Sequence, residues 1–255
     1  MTEGPQPKAE PPQGPAWQAN SPQVLEMLAA CEITACDLLP WGSNYTFLAK
    51  LDGGEAGPGL AVYKPRRGEA PLYDFPDGTL YRREYGSYVV SRALGWDFIP
   101  PTVIRDGPHG IGAVMLFIPS YRGANYFTFR EERVDELQRI AAFDCLTNNA
   151  DRKAGHCLLG VDGRVWGIDH GLTFNAVPKL RTVIWEFRST PLPADVVTAL
   201  SGLVSELEKG DVGAELGDLV ASAEMQALRG RLGWLLENGV FPEPGPWRSV
   251  PWPSL

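Results

Sequence analysis

Short apolar runs separated by glycine, proline and asparagine fill the first 120 residues, a pattern that is typical of β-strands and tight turns. The predicted strands cover residues 33–39, 45–51, 60–64, 102–105 and 112–118. Apolar side chains recur at helical spacing over 22–32 and over 80–94, where Gly95 is a natural stop. The pattern therefore predicts a short helix followed by a five-stranded antiparallel sheet, with a second helix inserted after the third strand.

The second half of the chain changes to helical spacing. An amphipathic helix is predicted over 131–146, and two leucine-rich helices are predicted over 194–208 and 214–237. Between them, short strands over 157–161 and 164–168 form a small hairpin. We expect a bilobal fold of the α+β class, in which a cleft separates a β-rich N-lobe from a mostly helical C-lobe.

Composition indicates where the two tails end and the folded lobes begin. The first residues are rich in proline, glycine and glutamine, which is typical of a disordered tail. The last residues combine proline with Trp247 and Trp252. The predicted organisation is a Pro-rich tail over 1–22, the N-lobe over 23–118, the C-lobe over 119–240 and a Pro/Trp-rich tail over 241–255.

The charge and the cysteines restrict the class of protein. A net charge of -8 and an isoelectric point near 5.0 argue against nucleic acid and anionic membranes as general partners. No apolar run approaches the roughly 20 residues of a membrane span, so no integral membrane association is expected. The 4 cysteines lack C-x-x-C spacing and are interpreted as reduced core residues. We therefore expect a cytoplasmic protein.

Two short polar motifs carry the candidate chemistry. Asp151 follows the amphipathic helix, Asp169 ends the small hairpin 18 residues later, and Lys153 lies two positions after Asp151. Metal-assisted phosphoryl transfer needs such groups, because a carboxylate orients the attacking hydroxyl, another holds divalent ions on the phosphates, and a cation offsets the developing charge. His156 is interpreted either as a second metal ligand or as a hydrogen-bond donor to Asp151 or to phosphate.

Two candidates for nucleotide binding lie in the N-lobe. Lys64 ends the third strand, where a lysine is either a solvated edge residue or an ammonium that binds phosphates. In the second case the lysine needs an acidic partner, which Glu84 supplies 20 residues later in the inserted helix. The alternative for Glu84 is a helix-surface pair with Arg82 or Arg83. Two other acidic residues compete as partners of the lysine, Glu32 and Glu69.

The turn between the first two strands has a composition that suits anion binding. Gly42-Ser43-Asn44 combines glycine with small polar residues, and such a turn presents backbone N–H groups to phosphate. The same composition also makes an ordinary hairpin. Its place in the order strand, turn, strand, strand-end lysine favours the phosphate-binding interpretation.

Taken together, these residues resemble the protein-kinase-like fold. The resemblance covers residues 32–240 and is carried by Lys64, Glu84, Asp151-Arg152-Lys153-Ala154-Gly155-His156 and Ile168-Asp169-His170-Gly171. It is closest to the phosphatidylinositol 3/4-kinase-like branch and its HipA-type bacterial relatives, which carry Asp-Arg-His-x-x-Asn and Ile-Asp-Phe-Gly at these places. The chain also resembles a bacterial family that is labelled phosphatidylinositol-kinase-like.

The resemblance implies an ATP-dependent kinase that uses Mg²⁺ or Mn²⁺. Asp151 would orient the hydroxyl of the substrate, and Lys153 would reach the γ-phosphate. Asp169 would hold the metal ion between the phosphates, with His156 as the second metal ligand.

The N-lobe residues take nucleotide-binding roles by the same resemblance. Lys64, paired with Glu84, would contact the α- and β-phosphates of ATP. The Gly42-Ser43-Asn44 turn would cover the phosphates. The end of the last N-lobe strand would line the adenine pocket with Met115 and Phe117.

Three departures from the family pattern bear on the function. His156 stands where an asparagine usually holds the second metal ion, and His170 replaces the phenylalanine of Asp-Phe-Gly. The segment 171–191 is short and lacks both Ala-Pro-Glu and the basic cluster of lipid kinases. We predict transfer of the γ-phosphate to a hydroxyl, favouring protein serine or threonine, with a lipid or small-molecule acceptor as the alternative. A nucleotide-binding pseudokinase and an adenylyl transferase on the same fold also remain open.

Overall fold

A computed structural model describes residues 17–40, 44–246 and 248–255 of the chain. In these ranges, five strands form one antiparallel sheet in the order β1-β2-β3-β5-β4. The strands are β1 (Glu32–Leu39), β2 (Thr46–Asp52), β3 (Gly59–Pro65), β4 (Thr102–Gly107) and β5 (Gly110–Leu116). The predicted α+β class and the five-stranded antiparallel N-lobe are confirmed.

The two faces of this sheet bury different partners, because side chains alternate along each strand. Tyr63 on β3 and Val114 on β5 point to one face, where they pack with Leu28 of the first helix, α1 (Val24–Ala30). Lys64 is the next residue of β3 and points to the opposite face, where it meets a helix of the N-lobe and a loop of the C-lobe. The alternation therefore places the ammonium of Lys64 between the lobes.

The inserted helix α2 (Leu80–Ala93) follows β3 and ends before Gly95, which has a φ of 66°. Its own N-cap residue makes no side-chain cap. Instead, the carboxylate of Glu69 accepts the N–H of Leu80 at 3.0 Å and the N–H of Tyr81 at 2.8 Å. A carboxylate at a helix N-terminus satisfies free N–H groups and complements the helix dipole. Glu69 thus fixes the start of α2 against the loop after β3.

We expect Glu69→Ala to lower the free energy of unfolding by about 1–2 kcal/mol, as the loss of a helix cap does. The substitution leaves two N–H groups of α2 without their carboxylate acceptor. Urea-induced unfolding measures the effect. Glu55→Ala is the matched control, because Glu55 is an exposed glutamate of the same lobe. Equal unfolding midpoints for the two variants would contradict the capping role.

The C-lobe is mostly helical, as predicted. Its helices are α3 (Tyr126–Phe129), α4 (Val134–Thr147), α5 (Ala194–Lys209), α6 (Asp211–Leu219) and α7 (Ser222–Asn238), and a small hairpin consists of β6 (Cys157–Leu159) and β7 (Val165–Gly167). One apolar core includes Ile140 of α4, Leu200 of α5 and Leu232 of α7, and it reaches α2 at Val90. The lobes therefore share buried apolar contacts in addition to their covalent connection.

One predicted helix is wrong in its extent. The leucine spacing over 214–237 predicted a single helix, whereas α6 ends at Leu219, and the next residue, Val220, is extended with φ -128° and ψ 158°. Val220 is buried, and the carboxylate of Glu224 turns back to accept the N–H of Ala221 at 2.9 Å. Burial of Val220 and capping by Glu224 outweigh the local helical pattern, because tertiary packing overrides propensity.

The N-terminal segment joins the packed structure earlier than predicted. Trp17 lies within the range predicted as a disordered tail, yet its indole N–H donates to the carbonyl of Gly57 at 3.1 Å. A β-carbon on Gly59 would lie 2.4 Å from the Trp17 ring, so the ring packs directly on the start of β3.

Among the described residues, no helix is both long enough and apolar enough to cross a membrane.

The C-terminal segment folds back onto the C-lobe. The carbonyl of Ser249 accepts the indole N–H of Trp185 at 3.0 Å, and the carbonyl of Ser254 accepts the N–H of Ala154 at 2.8 Å. Pro251 is buried, while Trp252 is exposed. Trp247 lies outside the described residues. The segment therefore supports the backbone immediately after Lys153.

Candidate active site

Three separate elements bring charged side chains together between the lobes. The Lys64 ammonium on β3 forms an ion pair with Glu84 on α2 and lies 2.9 Å from Oδ1 of Asp169, which follows β7. The second carboxylate oxygen of Glu84 accepts the N–H of His170 at 2.9 Å. Glu84 is thus the partner of Lys64. Of its two predicted competitors, Glu69 caps α2, and Glu32 lies at the start of β1.

The charges of this cluster reinforce one another. Burial lowers the pKa of Lys64, but the carboxylates of Asp169 and Glu84 outweigh burial and raise that pKa above its ordinary value. Burial raises the pKa of Glu84, and Lys64 opposes that rise. Partial burial would also raise the pKa of Asp169, yet Lys64 and His156 hold it far below its usual range. Lys64 and Asp169 therefore both carry full charges at neutral pH.

Asp151 and Lys153 form a second ion pair on the loop after α4. Lys153 Nζ lies 3.2 Å from Oδ2 of Asp151, and both side chains are partly exposed. The Asp151 N–H donates to the side chain of Asn149 at 3.0 Å, which shapes the turn. Burial raises the pKa of Asp151, and Lys153 opposes the rise. The loop therefore presents a carboxylate with a raised pKa beside a cation.

His156 lies against Asp169 and not against Asp151. Its Nε2 is 3.2 Å from Oδ2 of Asp169, and the N–H of Lys153 approaches Nδ1 at 3.4 Å. Burial, followed by nearby cations, lowers the pKa of His156 to about 4, although Asp169 opposes this. The imidazole is therefore neutral at physiological pH. A neutral imidazole either donates a hydrogen bond to Asp169 or binds a metal ion.

Arg152 connects the loop to the protein core, a role that the sequence did not reveal. Its buried guanidinium binds Asp144 of α4 through Nε and Nη2, both at 2.9 Å. It also donates to the carbonyl of Ile168 at 3.0 Å. A signal for this pair was present, because Asp144 is a lone carboxylate on the apolar face of α4 that includes Leu137 and Ile140. Such a residue requires a buried cationic partner.

His170 occupies an aromatic site behind Asp169. Its buried ring packs edge-on against Phe143 at 5.6 Å between centroids and lies 6.3 Å from Phe98. Its Nε2 lies 2.6 Å from Nη2 of Arg152, so the guanidinium donates and the imidazole accepts. Burial and the Arg152 cation hold the pKa of His170 well below its ordinary value. The histidine is therefore neutral, packs against aromatic rings and accepts a hydrogen bond from Arg152.

The predicted adenine-lining residues lie at the end of β5, next to the connection between the lobes. Met115 is buried and pairs with Val62 of β3, on the sheet face that carries Lys64. Phe117 is partly buried, and its N–H donates to the carbonyl of Leu60 at 3.0 Å. The structure therefore aligns these residues with the lysine along a single face of the sheet.

The predicted phosphate-covering turn is only partly described. Gly42 and Ser43 lie outside the described residues. The side-chain oxygen of Asn44 accepts the N–H of Ala70 at 2.8 Å, so it holds the loop between β3 and α2. The Asn44 side chain therefore has a structural contact, and phosphate binding by the backbone N–H groups of the turn stays a prediction.

Comparison with known sequences found one long match and one partial match. No protein family model matches the chain. Protein Rv2133c of Mycobacterium tuberculosis (strain ATCC 25618 / H37Rv) is 38% identical over an alignment of 269 residues, which covers 90% of this chain and 94% of that protein. Phosphatidylinositol 4-kinase gamma 4 of Oryza sativa subsp. japonica is 27% identical over 166 residues, which cover 51% of this chain but only 29% of the rice protein.

Solved structures of kinases share the fold at low sequence identity. The Golgi casein kinase with Mn/ADP bound has a TM-score of 0.57 and 15% identity, over 85% of this chain and 74% of that chain. The Helicobacter pylori proinflammatory kinase CtkA has a TM-score of 0.52 and 12% identity, over 84% and 94%. Hydra Fam20 with sugar has a TM-score of 0.52 and 16% identity, over 88% and 90%. The bilobal architecture is therefore a kinase-like fold, and by sequence the chain belongs to the family of protein Rv2133c.

Proposed function

We propose that this protein is an ATP-dependent phosphotransferase that transfers the γ-phosphate to a hydroxyl acceptor. The observation that carries the proposal is the cluster of Lys64, Glu84 and Asp169, which come from a strand, a helix and a loop and meet between the lobes. Phosphoryl transfer depends on such positioned charges more than on covalent chemistry. The kinase-like fold supports the same assignment.

Each charged side chain has a role that its contacts support. Lys64 is held by Glu84, so its ammonium is positioned to bind the α- and β-phosphates. Asp151 orients the acceptor hydroxyl and takes its proton, a task that a raised pKa favours. Lys153, beside Asp151, offsets the charge on the γ-phosphate. Met115 and Phe117 line the adenine pocket on the face that carries the lysine.

The donor set fits a magnesium or manganese ion that arrives with the nucleotide. Within the described ranges, no three His, Cys, Asp or Glu side chains form a metal-binding group. Asp169 is half-exposed and lies beside the neutral imidazole of His156. One carboxylate with phosphate oxygens and water is a usual environment for Mg²⁺, and imidazole suits Mn²⁺ better. Bound there, the ion would neutralise charge on the phosphates.

The surroundings of the site favour a protein hydroxyl over an inositol lipid. The segment 171–191 contains three cations, Lys179, Arg181 and Arg188. Lys179 pairs with Asp74, and Arg188 lies 4.0 Å from Glu243, so two of the three are already offset. Lipid kinases need free cations for phosphorylated headgroups. The partial match to the rice phosphatidylinositol 4-kinase supports a place for this chain in the phosphatidylinositol 3/4-kinase-like branch of kinase folds. We do not extend the lipid substrate of that branch to this chain.

A second candidate, a nucleotide-binding module without turnover, is favoured by one contact. Oδ2 of Asp169 lies 3.2 Å from Nε2 of His156. The imidazole therefore occupies a carboxylate oxygen that a metal ion would need as a ligand. If this hydrogen bond persists with nucleotide bound, the protein binds nucleotide and transfers nothing. This candidate and the kinase share one binding cleft and differ in product.

Incubation of the purified chain with ATP and Mg²⁺ or Mn²⁺, followed by intact-mass measurement and ADP detection, tests the proposal. We expect ADP release, and a gain of one phosphate where the chain is its own acceptor, with both lost in Asp151→Ala. A gain of AMP would replace the kinase with an adenylyl transferase. Nucleotide-induced thermal stabilisation without product would favour the binding module. Absence of any nucleotide binding would refute the assignment of the cleft.

A further inference from the structure

A buried ion pair fixes the helix that carries Glu84. Arg83 directly precedes Glu84 on α2, and its Nη2 lies 2.7 Å from Oε1 of Glu224 on α7. Both side chains are buried, with exposures of 1% and 9%. The two residues are 141 positions apart, so the pair joins the N-lobe helix to the end of the C-lobe. The helix-surface pair of Arg83 with Glu84 that the sequence left open is therefore not formed.

The same guanidinium also holds the segment after Asp169. Nη1 of Arg83 donates to the carbonyl of Thr173 at 2.7 Å, and the hydroxyl of Thr173 donates to the carbonyl of His170 at 2.8 Å. The N–H of His170 in turn donates to Glu84. Adjacent residues of α2 therefore bind two points of one short segment, 170–173. The segment and α2 form a closed ring of contacts, and the Arg83–Glu224 ion pair connects this ring to α7.

Displacement of α2 would break this ring. A shift that separates Lys64 from Glu84 would also pull Arg83 away from Glu224 and leave buried charges without partners, which is strongly unfavourable. The Phe75 ring packs against the guanidinium at 4.9 Å and further restricts it. Contacts within the chain itself therefore hold α2 where the Lys64–Glu84 pair forms.

We propose that Arg83 and Glu224 are positioning residues, which set α2 and thereby hold Glu84 and Lys64 for phosphate binding. The inference rests on the proposed function, because it assigns a purpose to the geometry of that site. The hydrogen bonds of these two side chains go to each other, to Thr79, to Thr173 and to the Ala221 N–H, and none goes to Lys64 or Asp169. They affect phosphate binding because they fix the position of Glu84. Residues that only stabilise the fold lack this effect.

Arg231 provides a matched control on the same helix as Glu224. Its Nε donates to the carbonyl of Leu146 at 2.7 Å and its Nη1 to the carbonyl of Asn175 at 3.3 Å. It is a partly buried arginine of α7 whose hydrogen bonds lie within the C-lobe. Arg231→Met should therefore lower stability without moving α2.

The test measures the Kd of ADP with Mn²⁺ by calorimetry, on full-length variants that retain the wild-type circular dichroism spectrum. We expect Arg83→Met to raise this Kd on the order of tenfold, and Arg231→Met to leave it within about twofold. Glu224→Gln should raise the Kd in the same direction by a smaller factor. It keeps a side-chain oxygen for the Ala221 N–H, so this variant carries the test if Arg83→Met does not fold.

A double-mutant cycle with Glu84→Gln identifies the route of the effect. If Arg83 acts through Glu84, the double variant binds no more weakly than Glu84→Gln alone, whereas independent effects multiply. Multiplying effects, or unchanged binding in both Arg83→Met and Glu224→Gln, would overturn the positioning role. Absence of nucleotide binding by the wild-type protein would overturn the proposed function together with this inference, and so the two failures are distinguishable.

Discussion

Replacing Asp169 with asparagine is expected to lower the rate of ADP formation by at least about 10²-fold, the scale on which loss of a positioned charge acts in catalysis. The carboxylate meets Lys64 at 2.9 Å and His156 at 3.2 Å, and its depressed pKa keeps it ionised. Asparagine preserves the shape and removes the charge. It also tolerates the left-handed backbone at this position, where φ is 61°, so the loop should be retained.

The measurement is the initial rate of ADP formation with Mg²⁺ and, separately, with Mn²⁺. Asp195→Asn is the control, because Asp195 is an exposed carboxylate that pairs with Arg139 at 2.9 Å on the C-lobe surface. We expect this control to retain the wild-type rate with both metals. A rate for Asp169→Asn within about threefold of wild type under either metal would contradict the assignment of the metal-binding carboxylate, because the expected loss is far larger.

Local periodicity was sufficient to predict the sheet, and strand geometry explains on which face the lysine lies. Alternation along β3 places Tyr63 in the packed face and Lys64 in the other, and this follows from strand geometry alone. The glycine stop after α2 and the left-handed Asn148 after α4 are local signals as well. Element order and the face of the sheet on which Lys64 lies therefore follow from short-range patterns, whereas the meeting of Lys64 with Asp169 was implied only by the resemblance to kinases.

Contacts between residues that are far apart in the sequence could not be predicted from local patterns. Glu224 has the pattern of an exposed helical glutamate, yet it caps α7 and binds a guanidinium 141 positions away. Glu69 was one of two competitors for Lys64 and is a helix cap instead. In each case an acidic side chain has several chemically equivalent partners in the sequence. The fold of the chain determines which of these partners each carboxylate contacts. The cap that Glu224 forms at Ala221 also divides the predicted helix over 214–237 into two.

The buried Arg152–Asp144 pair shows how a local motif and a distant contact combine in one loop. Asp151, Arg152 and Lys153 are consecutive, but their side chains serve different environments: two are partly exposed at the site, and Arg152 is fully buried. Arg152 joins α4, the carbonyl before Asp169 and the ring of His170. The position of Asp151 relative to Asp169 therefore depends on a residue that is fully buried behind both loops.

Arg152→Met is accordingly expected to lower the free energy of unfolding by about 3–5 kcal/mol, because it leaves the Asp144 carboxylate buried without a cation. The Ile168 carbonyl and the His170 ring lose their donors at the same time. Urea-induced unfolding measures the loss. Arg139→Met removes a surface pair of the same chemistry and should cost less than about 1 kcal/mol.

The double variant Arg152→Met/Asp144→Leu separates the buried charge from the loop geometry. Removing both charges should recover part of the lost stability, since a buried pair replaced by apolar side chains is often nearly neutral. Phosphoryl transfer should not recover, because the Ile168 carbonyl and the His170 ring still lack the arginine that aligns Asp151 with Asp169. Recovery of stability together with full activity would show that Arg152 only neutralises Asp144. Recovery of stability alone would assign the alignment of the two loops to the Arg152–Asp144 pair as a unit, because the Asp144 carboxylate also accepts the side-chain N–H of Asn149 at 2.9 Å beside Asp151.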